Sequence, residues 1–168
     1  MMVLGLAAML VFVPMACEAA RAARNERAQR ARGGVEPPDD VYPWMRIVYP
    51  LMFVAMLLEG VLRGAPAGGA LGAGLVVFAL GKAIKWWAIG ALGPYWTFRV
   101  IVVPGAPLVV AGPYRYLRHP NYVGIAGEIL GAALMTGAAV NGVLATVVFG
   151  GLLAKRMSVE DRALARPG

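Results

Sequence analysis

Residues 112–124, G-P-Y-R-Y-L-R-H-P-N-Y-V-G, hold the protein's single histidine, His119, together with three tyrosines, two arginines and two prolines between apolar flanks. A second polar group, R-M-S-V-E-D at residues 156–161, follows a long apolar stretch. Arg156 and Glu160 stand four apart, so on a helix they share one face. Taken alone, such a pair is a surface ion pair worth about 0.3–0.5 kcal/mol. His119, taken alone and ahead of Pro120, reads as a hydrogen-bonding group at a helix start. Beside a reacting hydroxyl it becomes a conceivable base. A lone histidine and a lone cysteine, Cys17, exclude an internal disulfide and argue against a zinc centre.

The elements that must position these groups are membrane helices. Of 168 residues, 60% are hydrophobic and only 15% charged, against about 25% charged in soluble domains. The mean hydropathy is +0.67. The net charge of +7 would suggest nucleic acid in a soluble chain. In a membrane protein the same excess belongs to basic cytoplasmic loops.

Residues 1–17 are apolar and reach the short end of a span, about 17 residues. A cleaved signal peptide is the rival reading, but no basic segment precedes the run and Arg21, Arg24, Arg27, Arg30 and Arg32 follow it. Pro14 and Met15 disfavour lipoprotein processing at Cys17. Residues 18–43 read as a helical extension and then a cytoplasmic loop, broken by V-E-P-P-D-D. A second span is expected at 47–62, with Glu59 reaching headgroups, and a third at 68–89. Lys82 and Lys85 read as snorkelling lysines beside interfacial Trp86 and Trp87. Gly64, Gly68 and Gly72 recur at a spacing that permits close helix contact. Residues 91–121 form a cytoplasmic loop carrying the histidine motif, with a short extended segment at 97–103.

Residues 122–154 are almost wholly apolar. At about 1.5 Å per residue they make about 50 Å of helix, too long for one crossing of a core about 30 Å thick. The run is therefore a hairpin, with spans at 122–137 and 139–154 and a polar tail at 155–168. Glu128 is a carboxyl within the fourth span. Such a group costs about 2.5–3.5 kcal/mol on insertion scales and marks function by default. It faces a substrate cavity or the third helix, and both stay open.

The expected fold is an all-α integral membrane protein of five transmembrane helices, N-terminus out and C-terminus cytoplasmic. That topology places every one of the 16 lysines and arginines except Arg63 on or towards the cytoplasmic side, so nucleic acid is not needed to explain the charge. It also brings His119 and the Arg156–Glu160 pair to one end of an antiparallel hairpin, where they read as one site.

The segment at 112–124, followed after a hairpin by an arginine and an acidic pair, resembles the isoprenylcysteine carboxyl methyltransferase family, whose signature is G-x-Y-x-x-x-R-H-P-x-Y-x-G. The resemblance covers residues 92–164. It implies an enzyme that binds S-adenosylmethionine on the cytoplasmic side, here of a bacterial inner membrane. It further implies methylation of a lipophilic substrate entering from the bilayer, with membrane lipids as surroundings. Carried over by position, the cofactor contacts are strand-like Pro107, Leu108 and Val109, then Tyr114, His119, Pro120, Asn121, Tyr122 and Glu160. Arg156 takes the substrate-side role. A carboxylate and tyrosine faces suit the ammonium and sulfonium of such a ligand. The acidic pair is Glu160 and Asp161 rather than two glutamates, and the usual aromatic-rich tail is absent, so a smaller lipid acid, enol or phenol is expected in place of a prenylated protein. Membrane sterol reductases share an H-P-N-Y-x-G segment and would make this an NADPH enzyme. Their glycine is followed by glutamate, whereas Ile125 follows Gly124. Phospholipid N-methylation and a non-catalytic membrane scaffold also stay open.

Overall fold

The computed structural model describes residues 2–64, 66 and 68–165. The expected tail therefore passes outside the described residues at 166–168, and the turn between the second and third apolar stretches does so at Ala65 and Ala67. The described chain is helical: α1 Met2–Ala31, α2 Tyr42–Arg63, α3 Gly69–Leu92, α4 Pro120–Thr136 and α5 Ala139–Ala165, with short 3-10 turns at Gly93–Tyr95 and Gly112–Arg115. No strand occurs among the described residues. The segment at 97–103 contributes one isolated antiparallel bridge, Val35 to Val102, and Pro107, Leu108 and Val109 have no strand pairing.

Four of the helices are long and apolar enough to cross a membrane: Met2–Ala31, Tyr42–Arg63, Gly69–Tyr95 and Ala139–Ala165. At 17 residues α4 is shorter, about 25 Å at ~1.5 Å per residue. Leu51, Leu58, Leu62, Leu80 and Val147 stand exposed on the outer faces, as side chains facing lipid rather than water would.

The most extensive helix contact is between α3 and α4, and glycine makes it possible. A Cβ added at Gly124 would lie 2.7 Å from Lys85 Cβ, and one at Gly131 would lie 2.6 Å from Phe78 Cα. The glycine spacing at 64, 68 and 72 plays no such part. Gly64 and Gly68 have positive φ in the connection before α3, and nothing lies within 4 Å of a Cβ placed on Gly72.

Close packing also buries charge. Lys82 and Lys85 do not snorkel: Lys85 is 2% exposed. Lys85 Nζ lies 2.7 Å from Glu18 Oε2 and 3.3 Å from Glu128 Oε2. Lys82 Nζ reaches Glu18 at 3.1 Å and Glu128 at 2.9 Å. The Tyr49 hydroxyl donates to Glu128, and the Trp86 indole to Glu18. Two carboxylates and two ammoniums thus join α1, α3 and α4 in a locally neutral cluster, the arrangement in which buried charge is tolerated. Of the two orientations open for Glu128, the structure has the one towards the third helix.

Glu59 likewise turns inward. It accepts from Val140 N at 3.0 Å and Asn141 N at 2.7 Å, so it caps the otherwise unpaired first amides of α5. Gly137, with φ 69°, ends α4 in the left-handed conformation and sends its N–H back to Ala133 and Leu134 carbonyls. The tight α4–α5 hairpin follows from these two devices.

Candidate functional site

Beyond its apolar half, α1 continues as a polar helix that fastens the end of α3. Asn25 Nδ2 donates to the Gly93 and Trp96 carbonyls at 3.0 and 2.8 Å, and Gln29 Nε2 to the Pro94 carbonyl at 2.9 Å. The chain then runs as an irregular segment to the histidine motif. Pro120 occupies the first turn of α4, where its missing N–H costs nothing. His119 therefore stands at the mouth of α4, directly across the hairpin from the last turns of α5.

His119 Nδ1 lies 3.3 Å from Glu160 Oε2 and Nε2 lies 3.2 Å from Asp161 Oδ1. Its ring stacks on Tyr122, centroids 5.4 Å apart and planes 16° from parallel. The hydrogen bond to Glu160 raises the histidine pKa, and partial burial opposes that rise. The Tyr114 hydroxyl is pushed up by burial and by the Glu160 charge.

Arg156 and Glu160 do not make the plain surface pair that their spacing suggests. Both bind one hydroxyl between them: Arg156 Nε donates to Tyr122 Oη at 2.9 Å, and Tyr122 donates to Glu160 Oε2 at 2.8 Å. Arg156 is 4% exposed, and its Nη1 reaches Asp40 Oδ1 at 3.2 Å.

Two cavities meet at this point. The first, about 560 Å³, is bordered by Leu108, Val109, Tyr114, His119, Glu160 and Asp161, with Arg99 and Arg118 also on its wall. The second, about 250 Å³, is bordered by Met45, Tyr49, Lys85, Phe98, Ile125 and Phe149. Trp96, Thr97, Asn121, Tyr122 and Arg156 belong to both walls. No carboxylate borders the second cavity among the described residues.

Of the residues expected at a site, Leu108, Val109, Tyr114, His119, Asn121, Tyr122, Arg156 and Glu160 border the first cavity. Pro107 and Pro120 do not: Pro107 is exposed and Pro120 is buried under the start of α4. Glu128 borders neither cavity and reaches the second only through Tyr49 and Lys85, which it binds. Sequence reasoning missed Asp40, Trp96, Tyr49 and Lys85. Asp40 lies in a proline-broken loop and Trp96 in the 91–121 loop, while Tyr49 and Lys85 read as ordinary interfacial or span residues.

The first cavity has features that suit S-adenosylmethionine. Its size falls within the usual range for small-ligand sites, about 300–1,000 Å³. Asn121 Oδ1 is buried on its wall without a hydrogen-bond partner among the described residues. The carboxylates of Glu160 and Asp161 offer acceptors and negative charge to a cationic ligand.

A model of the isoprenylcysteine carboxyl methyltransferase (ICMT) family matches residues 73–166. The chain is 33% identical to the uncharacterized protein YpbQ of Bacillus subtilis (strain 168) over 156 residues, 92% of each chain. It is 22% identical to an uncharacterized protein of Haemophilus influenzae over 143 residues, 84% of this chain and 83% of the other. No solved structure matches significantly. The family match takes in the whole hairpin and both polar groups at its mouth, over more than half the chain, and so the protein belongs to the isoprenylcysteine carboxyl methyltransferase family of membrane methyltransferases.

Proposed function

We propose that the protein transfers a methyl group from S-adenosylmethionine to an oxygen, carboxylate or hydroxyl, of a lipophilic acceptor. The observation that carries this reading is the shared wall: a chamber with two carboxylates and a more apolar one with none among the described residues, divided by Tyr122 and Arg156. When bound, S-adenosylmethionine supplies an electrophilic methyl on a sulfonium. Glu160 attracts the ligand's ammonium, Tyr114 with Leu108 and Val109 offers an aromatic and apolar face, and Arg118 opposes its carboxylate. Arg156 holds the acceptor oxygen from the shared wall. The apolar lining of the second cavity takes the lipid body and keeps water out, so the acceptor oxygen, the methyl and the sulfur are aligned in a dry site.

His119 borders the first cavity and not the second, and both of its nitrogens face carboxylates. It is thus better suited to holding Glu160 than to taking a proton from an acceptor. An acceptor already ionised at neutral pH fits this arrangement, with the Arg156 charge offsetting its own. Within the proposal α4 also crosses the membrane, giving five spans with the N-terminus out and the site on the cytoplasmic face of a bacterial inner membrane.

Calorimetry on the detergent-purified protein tests this reading. S-adenosylmethionine should bind and NADPH should not, and labelled methyl should pass into total lipid extract. Binding of NADPH with no response to S-adenosylmethionine would instead favour the reductase reading.

A further inference from the structure

Asp40 lies outside the part of the chain that the family model matches, yet its carboxylate is fixed beside the shared wall. Its side chain is 3% exposed and pairs with Arg156 Nη1 at 3.2 Å. The same oxygen, Oδ1, accepts from Tyr42 N at 3.0 Å, and Oδ2 accepts from Val100 N at 2.8 Å. One carboxylate therefore ties together the start of α2, the segment after α3, and α5. Val100 borders the first cavity.

A guanidinium is a planar fork of five N–H groups, so its orientation is set once two of its nitrogens are engaged. For Arg156 these are Nε, bound to Tyr122, and Nη1, bound to Asp40. The tyrosine contact alone leaves the fork free to pivot about Nε. The second contact stops that rotation, and its negative charge adds to that of Glu160 in offsetting the buried guanidinium. Asp40 itself borders neither cavity, so it acts on a ligand only through Arg156 and Val100.

We propose, resting on the methyl-transfer reading above, that Asp40 is the positioning residue of the site. It holds the Arg156 fork towards the acceptor and, through Val100, keeps the cofactor-side wall in register with it. Its place in the reaction is geometric. No proton or electron passes through it.

The test compares wild type with Asp40→Asn, Asp40→Ala and Asp40→Glu in detergent. Three quantities are read: S-adenosylmethionine affinity by calorimetry, labelled-methyl transfer into a titrated total lipid extract at saturating cofactor, and thermal unfolding. Asp40→Asn is expected to lower the limiting rate about 100-fold while changing cofactor affinity by less than about threefold, because misplacement of one orienting group acts on the aligned state. Asp40→Glu, which keeps a carboxylate that can reach Arg156, is expected to recover part of that rate. A limiting rate in Asp40→Asn equal to wild type would overturn the proposal. So would a joint loss of cofactor affinity, rate and unfolding temperature in Asp40→Asn and Asp40→Glu alike, which marks a structural clasp and nothing more. Failure of the wild type to bind S-adenosylmethionine or transfer methyl would instead defeat the functional reading on which the proposal rests.

Discussion

Arg156 Nε donates to the Tyr122 hydroxyl at 2.9 Å, and that hydroxyl in turn donates to Glu160 at 2.8 Å. The phenol thus links Arg156, on the wall shared by the two cavities, to Glu160 on the wall of the first. Tyr122→Phe keeps the ring that stacks on His119 and removes only this link. The hydroxyl's two partners are charged, and hydrogen bonds to charged groups contribute about 1.5–3 kcal/mol each. The variant should unfold more easily by about 3 kcal/mol in a denaturant titration, the low end for two such bonds because Glu160 is partly exposed, and should lose methyl transfer to lipid extract more than cofactor affinity. An unfolding curve matching wild type would show that the network is not energetically closed.

Glu160→Gln retains the side-chain shape and removes one of the two carboxylate charges bordering the first cavity. It should weaken S-adenosylmethionine binding about tenfold or more, as loss of a charge-assisted contact worth about 1.5–3 kcal/mol requires. Calorimetry decides this directly. Unchanged affinity would restrict Glu160 to a partner of Tyr122 and His119.

The pH dependence has a definite sign. His119 has its pKa raised above the ordinary histidine value of 6.5, chiefly by its hydrogen bond to Glu160. Its protonated form is therefore favoured in the folded protein. That contribution to stability is complete below the unfolded value, about 6.5, and is lost as pH rises through the higher folded value. Denaturation curves collected upward from pH 6 should show falling stability in wild type and a flatter profile in His119→Asn. The Tyr114 hydroxyl, pushed up by burial and by Glu160, stays neutral across this window. A rise in stability over the same range would contradict the assignment.

The ion cluster inside the helices should be intolerant of half-removal. Lys85→Met leaves Glu18 and Glu128 facing Lys82 alone, and breaking a buried pair in this way costs about 3–5 kcal/mol. Adding Glu128→Gln removes the surplus charge and should restore part of the loss. Unfolding in mixed detergent measures both. Additive losses in the double variant would mean that the two residues are not coupled.

Helix packing offers a control independent of charge. Gly131→Ala places a methyl 2.6 Å from Phe78 Cα and should destabilise by about 1–3 kcal/mol through overpacking. Gly150→Ala meets nothing within 4 Å and should be neutral or stabilising by up to about 1 kcal/mol from helix propensity. Equal effects at the two positions would argue against the close α3–α4 approach.

Local regularities of the chain determined much of this protein. Hydropathy and helix length required the long 122–154 run to fold back, and Gly137 is where it turns. The motif at 112–124 and the Arg156–Glu160 spacing identified the family and put Tyr114, His119, Asn121, Tyr122, Arg156 and Glu160 on one cavity wall, because short-range order and one antiparallel turn bring those groups together. Tertiary structure decided which charges meet. Lys82, Lys85 and Glu59 read as groups facing the membrane surface, and Glu128 stayed open between a cavity and the third helix, since a single sequence shows a charge in or near an apolar run but not its partner on another helix. Close glycine contacts carried the lysines into the interior, and only opposite charges from α1 and α4 make that burial tolerable. Asp40 was invisible for the same reason: its three partners come from α2, the segment after α3, and α5, and no periodicity in its own loop encodes them. The pairing of Arg156 with Asp40 and Tyr122 is a fact of packing among distant segments, which composition and spacing along the chain do not specify.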